Sequence, residues 1–483
     1  MLRFCTVFAL TLALSLALSL ALYAPATAAE KLVFRAGAFA MDVTPLKFPI
    51  SVNGNMADKL ADKANDPLHA RCLVLDDGKT RLALVVVDSC MIPRELLDAA
   101  KTRAEKLTGI PAKNILISAT HCHSAPTVGG VFQSDPDAGY VAFLTEKIAE
   151  GIAKAAANLT PAEVGYGSVQ EPSQLFNRRW RMKPGTLNKD PFGGTTDVVK
   201  MNPGYQNPGL LEQAGPIDPD VSVLAVRAVG SKRPLALYAN YSLHYVGDLP
   251  ALSADYFGSF CEQVAPLVGA DEKEPRFMAA LSNGTSGDVN NVDFANPARK
   301  SDGPGSRCRL VAGVVASAAK KAWESATFRS DISLSVAEQE LTLKVRKPTA
   351  AELVRAKGLL EAAANRSLKG VEEIYARETV LIDKYPDTVN LRLQAMRIGG
   401  LGITAIPCEV FTEIGLAIKN KSPLKPTLNV SLANGYNGYL PTPEHHQLGG
   451  YETWRARSSY LEADASTKIT AVILKLLSDV APK

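Results

Sequence analysis

The segment from Arg81 to Pro126 leaves this chain little freedom in how it folds. RLALVVVD holds an apolar run over residues 82–87, ELLDAAKTRAEKL has helical spacing over residues 94–107, and NILISAT is a second apolar run over residues 114–119. Strand, amphipathic helix and strand in that order predict a βαβ unit, whose two strands are parallel. In open α/β sheets ligands collect beyond the carboxyl ends of such strands, where Asp88 and the stretch ISATHCHSAP (residues 117–126) fall. A strand continuing through that stretch points His121 and His123 to the same side, because side chains alternate with period two.

Elsewhere the pattern also alternates strands and helices. VSVLAVRAV and PLALYANYSLH, joined by a turn at Gly230 to Arg233, predict a hairpin ending at His244. Residues 181–218, rich in Gly, Pro and Asn, predict a long surface loop of the kind that is functional or mobile. Residues 348–382 predict two helices broken near Ser367 to Gly370. NLRLQAMRIGGLGITAIPCE predicts a strand, a tight Gly399-Gly400 turn and a second strand, with Glu409 opening a helix. The Gly400, Gly402, Ala405 spacing is not a dinucleotide fingerprint, since no helix opens at those glycines.

The chain has 483 residues, 46% hydrophobic and 21% charged, which is globular composition with room for one large or two medium domains. A formal charge of +4, spread along the chain, gives no reason to expect nucleic acid as a partner. Arg3, the apolar run from Cys5 to Tyr23 and Ala26-Thr27-Ala28 predict a signal peptide over residues 1–28 and export to a periplasmic or extracellular space. The run approaches the ~20 residues needed to span a bilayer, so an uncleaved anchor is the alternative. Six cysteines follow it with no CxxC pair, and their spacing fixes no disulfide.

Signatures of serine hydrolases, P-loop enzymes and zincins (GxSxG, GxxxxGK[ST], HExxH) are missing from the sequence. What remains is that five of the six histidines stand in suggestive places: His121, His123 and His244 at strand ends, and His445 and His446 in a polar loop after Tyr439. Imidazole, carboxylate and phenolate groups gathered from separate strand ends suit a divalent metal such as zinc. A hydrogen-bonded structural histidine is the plainer reading of any one of them.

ISATHCHSAP resembles the ATHTHSGP signature of the neutral (alkaline, non-lysosomal) ceramidase family, and further matches follow in the family's order. MDVTP with Gly54 downstream is similar to its DITP opening, and DPLHARCLVL and FNRRW resemble two later segments. NYSLHYVGD with SADYFG resembles its second-histidine segment, SNGTSGDVNN its GDVSPN loop, IPCEV its PGE element, and NGYNGYLPTPEHHQLGGYE its long tyrosine motif. The resemblance implies an α/β fold, a large single catalytic domain over residues 30–480 with mixed β-sheets flanked by helices. It implies a zinc ion held by His121, His244, Glu409 and Tyr439, with Tyr436 as the alternative to Tyr439. His123, Arg178 and Tyr451 are implied as catalytic residues that contact substrate, stabilise an oxyanion or move protons. The implied reaction is hydrolysis of an N-acyl amide bond in a ceramide-like or other lipid-like substrate, with peripheral membrane contact as a further expectation.

Three departures from the family pattern bear on substrate. Asn290 stands where the family has serine after GDV, which excludes a serine nucleophile there. Cys408 replaces the glycine before Glu409, and Cys122 sits between the two histidines. The chain ends about thirty residues after Tyr451, too soon for the family's C-terminal immunoglobulin-like domain. Esters or sugar-derived substrates, or a non-catalytic binding role, are therefore alternatives to ceramide hydrolysis. Asp288 and Asn290 have a turn-forming reading beside the functional one.

Overall fold

Eight strands build the main sheet: β1 (Arg35–Asp42), β2 (His69–Asp76), β3 (Arg81–Val87), β4 (Ile115–Ala119), β5 (Thr160–Gln170), β6 (Asp220–Ala228), β7 (Pro234–Tyr241) and β8 (Met278–Asn283). Their spatial order is β8-β7-β6-β5-β1-β2-β3-β4. The two outer pairs, β3 with β4 and β7 with β8, are parallel, and the inner pairs are antiparallel. The predicted βαβ unit and hairpin are both present, with helix α1 (Arg94–Thr108) as the crossover. A second sheet, β9 (Leu334–Lys344), β10 (Thr388–Ile398), β11 (Leu401–Ala405) and β12 (Thr427–Val430), runs in that order. The computed structural model describes residues 33–270 and 277–482, and Phe34 onward forms one compact unit. The signal-peptide expectation lies outside the described residues.

Why RLALVVV is apolar throughout, rather than alternating, follows from the layering. Val85 and Val87 face a core shared with α1, α2 (Ala138–Ala157), α3 (Asp255–Leu267) and α4 (Ser306–Ser325). Leu84 and Val86 face the opposite way, against Met396, Ile403 and Val430 of the second sheet. A strand covered on both faces loses the period-two pattern. The outer face of the second sheet (Leu391, Leu393) is in turn covered by helices α7 (Thr412–Lys421) and α8 (Ala465–Val480). The result is four layers, helix–sheet–sheet–helix, which is the expected α/β class with mixed sheets flanked by helices.

Residues 348–382 do form two helices, α5 (Ala350–Ala362) and α6 (Gly370–Asp383), the first opened by a Thr349–Glu352 capping box. Residues 181–218 are not a structureless loop. Val199–Met201 and Leu210–Gln213 pair with the two edges of Arg179–Met182 in a small sheet. Three strands of three or four residues are too short for a period to show among so many glycines and prolines.

Lys101 of α1 is 1% exposed, and its Nζ donates to Asn434 Oδ1 at 2.6 Å. Burial pushes the ammonium from its ordinary 10.5 down to about 7. Between those values the unfolded chain binds a proton that the folded chain does not, so this group makes stability rise with pH. From pH 7 to 8.5 the stability of the wild type relative to Lys101→Met is expected to rise by up to about 1.4 kcal/mol per pH unit. Denaturant titrations of both proteins at three pH values check it.

Candidate metal centre

The site forms where the two ends of the main sheet curl together, Asn283 Nδ2 of β8 donating to Thr120 O beyond β4 at 3.2 Å, and the segment after β11 brings Glu409 to them. Beyond β4, Thr120 N donates to Val87 O at 2.9 Å and His121 N to Ser89 O at 2.8 Å, which ties the segment to the end of β3. His121 has φ +70°, a left-handed backbone unusual for a non-glycine residue. His121 and His123 therefore converge through a turn, their Nε2 atoms 3.1 Å apart, and not through strand alternation as expected. His244 lies three residues beyond β7, its ring centroid 4.4 Å from that of His121. Glu409 does not open a helix. It sits in a two-residue strand paired in parallel with Tyr439–Leu440, Glu409 opposite Tyr439, and α7 begins only at Thr412.

Hydrogen bonds fix the tautomers of two rings. His121 Nδ1 is 2.7 Å from Cys90 O and His244 Nδ1 is 3.1 Å from Ser286 O. A carbonyl only accepts, so each Nδ1 carries the proton and each Nε2 presents a lone pair. Glu409 Oε2 lies 3.1 Å from His121 Nε2 and 4.0 Å from His244 Nε2. Burial raises the Glu409 pKa, but His121, Arg178 and a hydrogen bond from Tyr436 outweigh it and hold the group as carboxylate. Neither His244 Nε2 nor Glu409 Oε2 has a hydrogen-bond partner, and all three side chains are at most 3% exposed.

Three groups that can each act as an acceptor thus face one another in a buried space, an arrangement that is unfavourable unless a shared cation, a metal ion or a proton on His121, lies between them. Ligand atoms ~2.1 Å from one ion lie up to about 4.2 Å apart, and both separations from Glu409 Oε2, 3.1 and 4.0 Å, fall inside that limit. A second grouping, Cys90, His121 and His123, fits less well. Cys90 Sγ approaches His121 on the Nδ1 side, which the Cys90 carbonyl already occupies. Burial, followed by Glu409 and Cys122, pushes the Cys90 thiol far above its ordinary value, so it is not a thiolate.

The two tyrosines divide their partners. Tyr436 Oη donates to Glu409 Oε1 at 2.8 Å, whereas Tyr439 Oη accepts from Arg178 Nη2 at 3.0 Å. Burial raises both phenols well above 10. Both line, with His121, His123, Glu409 and Tyr451, a cavity of ≈ 20 Å³. That is room for one ion or water and not for an acyl group. Arg178 does not line this cavity. It stands behind Tyr439, with Nη2 also donating to Gly287 O at 2.9 Å and Nε to Glu452 Oε1 at 3.2 Å. Tyr451 packs edge-on against Tyr439, ring centroids 5.9 Å apart.

His123 stacks on Tyr245, ring centroids 3.8 Å apart and planes 15° apart. Burial first, then His121 and Arg178, pushes its pKa well below 6.5, so the ring is neutral. Gly54 lies against the side chain as well: its φ is +93°, and an added Cβ would lie 2.4 Å from His123 Cγ. Gly54→Ala is therefore expected to displace His123 and lower turnover by about 10²-fold in a protein that still folds. Steady-state kinetics beside a thermal melt check this.

Several residues singled out from the sequence have structural partners instead. Asp88 is buried against Arg71 at 2.7 Å. Asp288 accepts from Asn177 Nδ2 at 2.7 Å and from Thr412 N at 2.9 Å, and so fixes the loop behind Arg178. Asn290 Nδ2 donates to Asn202 Oδ1 at 2.9 Å and does not line the cavity. His445 and His446 lie in a short helix, Pro443–Leu448, and not in a loop; His445 packs on Phe411. The sequence reading missed Glu452 and Tyr245, whose only signal is adjacency to Tyr451 and His244.

No protein-family model matches the sequence. Among solved structures the fold is similar to that of neutral ceramidase from Pseudomonas aeruginosa, with a TM-score of 0.68 at 18% identity over 93% of this chain and 74% of that one. A ceramidase complexed with C2 gives a TM-score of 0.68 at 17% identity, over 92% of this chain and 75% of that chain. At such identity the likeness is one of fold, and over nearly all its length this chain has the fold of the neutral ceramidase structures.

Proposed function

We propose that the protein is an exported, zinc-dependent hydrolase that cleaves the amide bond of an N-acyl compound of lipid-like character. The observation that carries this reading is the buried convergence of His121 Nε2, His244 Nε2 and Glu409 Oε2, the last two without a hydrogen-bond partner among the described residues. The fold shared with ceramidase structures supports the choice of an amide over other bonds. His121, His244 and Glu409 would hold the ion, with a neighbouring tyrosine, Tyr439 or Tyr436, as the fourth group. Bound there, zinc polarises a carbonyl and lowers the pKa of a nearby water.

The chain's own groups supply the rest. His123 is neutral, and its Nε2 faces the cavity beside His121; it takes a proton from water and hands it to the departing amine nitrogen. Tyr439 uses one lone pair to accept from Arg178, which leaves its O–H free to turn toward a developing oxyanion. Arg178 acts through Tyr439 as a positioning residue, itself held by Glu452. Tyr451 closes the cavity on the substrate side and offers a second hydroxyl.

The test is elemental mass spectrometry of the purified mature protein beside His244→Ala, together with a panel of N-acyl amides and matched esters. About one zinc per chain, lost in the variant, with amide turnover is the expected result. A wild type that takes up no metal under excess zinc and turns over no amide overturns it.

A further inference from the structure

The ≈ 20 Å³ cavity cannot hold substrate, but Tyr451 has a second face. On it lies a cavity of ≈ 550 Å³, within the ~300–1,000 Å³ of small-molecule sites. Its walls come from the 187–201 segment, from the first residues of α6 and from the turn Gly450–Trp454. Gly449 and Gly450 let that turn approach the segment closely. An added Cβ at Gly449 would lie 2.0 Å from Asp197 Oδ1, and one at Gly450 3.0 Å from Val199 O. Both have positive φ, +73° and +90°.

The lining of this cavity is mixed, with apolar side chains such as Met56, Leu187, Met201 and Val371 beside charged ones. Three cations and three carboxylates line it, Lys189, Lys200 and Arg355 against Asp190, Asp197 and Glu372, so their formal charges cancel. Each carboxylate is already oriented. Asp190 accepts from the Phe192 and Gly194 backbone at 2.8 and 2.7 Å, Asp197 from Trp454 Nε1 at 2.7 Å, and Glu372 from Arg355. Lys189 and Lys200 have no ion pair among the described residues and keep free donors. An alkyl chain could pack on the apolar part of this lining but would make no use of the charged groups, whose hydrogen-bonding capacity a hydroxylated ligand would engage. A strongly anionic ligand would meet the carboxylates as well as the lysines. A neutral ligand with several hydroxyl groups offers donors and acceptors to both signs, and its apolar face can lie on Trp454 and Tyr451, whose ring centroids are 6.1 Å apart.

We propose that this outer cavity binds the amine half of the substrate and that this half is a polyhydroxylated amine of amino-sugar size. The inference rests on the amide-hydrolase reading and deepens it. Tyr451, which lines both cavities, then stands beside the bond that joins the reacting carbonyl to the recognised amine. Selectivity comes from hydrogen bonds that an analogue lacking hydroxyls leaves unmade, a discrimination that reaches factors of ~10⁴ where the groups are well buried and less at an open cavity.

The experiment has two arms. In the first, saturation-transfer NMR with N-acetylglucosamine as the probe compares the wild type with Val371→Trp. Val371 lines the cavity from the exposed start of α6, at 39% exposure, so the larger ring fills space without entering the core. Transfer to the sugar ring protons in the wild type, reduced at least fivefold in the variant, is expected. No transfer in the wild type, or equal transfer in both, overturns the proposal even if amide hydrolysis is real. In the second arm, KM for an N-acetylated amino sugar rises at least tenfold in Val371→Trp, while turnover of N-acetylethylamine is unchanged. Equal KM values in both proteins count against the cavity. Absence of turnover on every amide counts against the hydrolase reading, and the binding arm still decides the cavity.

Discussion

Glu452→Ala is expected to destabilise the protein by about 3–5 kcal/mol, the usual size for removing one partner from a buried ion pair. Glu452 is 0% exposed and holds two guanidiniums at once, Arg178 Nε on Oε1 at 3.2 Å and Arg179 Nη1 on Oε2 at 2.5 Å. Arg178 is 4% and Arg179 0% exposed. Without the carboxylate, two buried positive charges lie on adjacent residues. Arg179 keeps Gly449 O at 2.7 Å, and Arg178 keeps Gly287 O and Tyr439 Oη. These neutral acceptors do not replace a negative charge. Glu452→Gln, which retains one acceptor oxygen and loses the charge, is expected to fall between the wild type and the alanine variant. Denaturant unfolding of all three checks the order. An alanine variant as stable as the wild type would mean that solvent reaches the guanidiniums, contrary to the burial seen here. Because Arg178 orients Tyr439, amide turnover is expected to fall in both variants while zinc content changes little.

How far the sequence spoke for itself depended on whether the signal was local. The βαβ unit, the hairpin before His244 and the paired helices α5 and α6 follow from periodicity within single windows, and all are present. The four-layer stacking is not a local property. The apolar runs at residues 82–87 and 114–119 only say that both faces are covered, not that the second cover is another sheet. Glu409 shows the same limit at finer scale. The run after it is helical, so a helix start at Glu409 was a reasonable expectation. What places the side chain is a two-residue pairing with Tyr439, thirty positions along the chain, which no window contains. His121 is a further instance. Alternation brings the two rings together on paper, yet the backbone reaches that convergence with φ +70°, anchored by bonds to Val87 and Ser89. Motif order identified the seven candidate residues. It could not say that six of them line the site directly or as its ligand cluster while Arg178 stands behind Tyr439.

The other large effect separates a metal centre from a cluster of structural polar groups. In Glu409→Gln, zinc content is expected to fall from about one per chain to near zero, and amide turnover by about 10³-fold or more, equivalent to roughly 4 kcal/mol of transition-state stabilisation. Stability of the metal-free protein is expected to move the other way. In the wild type without metal, Glu409 Oε2 faces the lone pairs of His121 Nε2 and His244 Nε2 and has no donor. The glutamine keeps an oxygen for Tyr436 Oη, which now donates to Glu409 Oε1 at 2.8 Å, and turns an amide N–H toward the imidazoles. An unsatisfied buried acceptor costs about 1–3 kcal/mol, so the chelated variant is expected to unfold at higher denaturant than the chelated wild type by about that much. If Glu409 were only a structural partner of a protonated histidine, the same substitution would break a buried ion pair and lower stability. Unfolding both proteins in chelator, beside their zinc content, therefore reads opposite signs for the two cases. Arg178 bears on the same point: after His121, its buried positive charge helps keep the Glu409 carboxylate ionised, and after burial it works against a protonated His244. The site thus favours a neutral His244 beside an ionised Glu409, the forms in which both can ligate a cation.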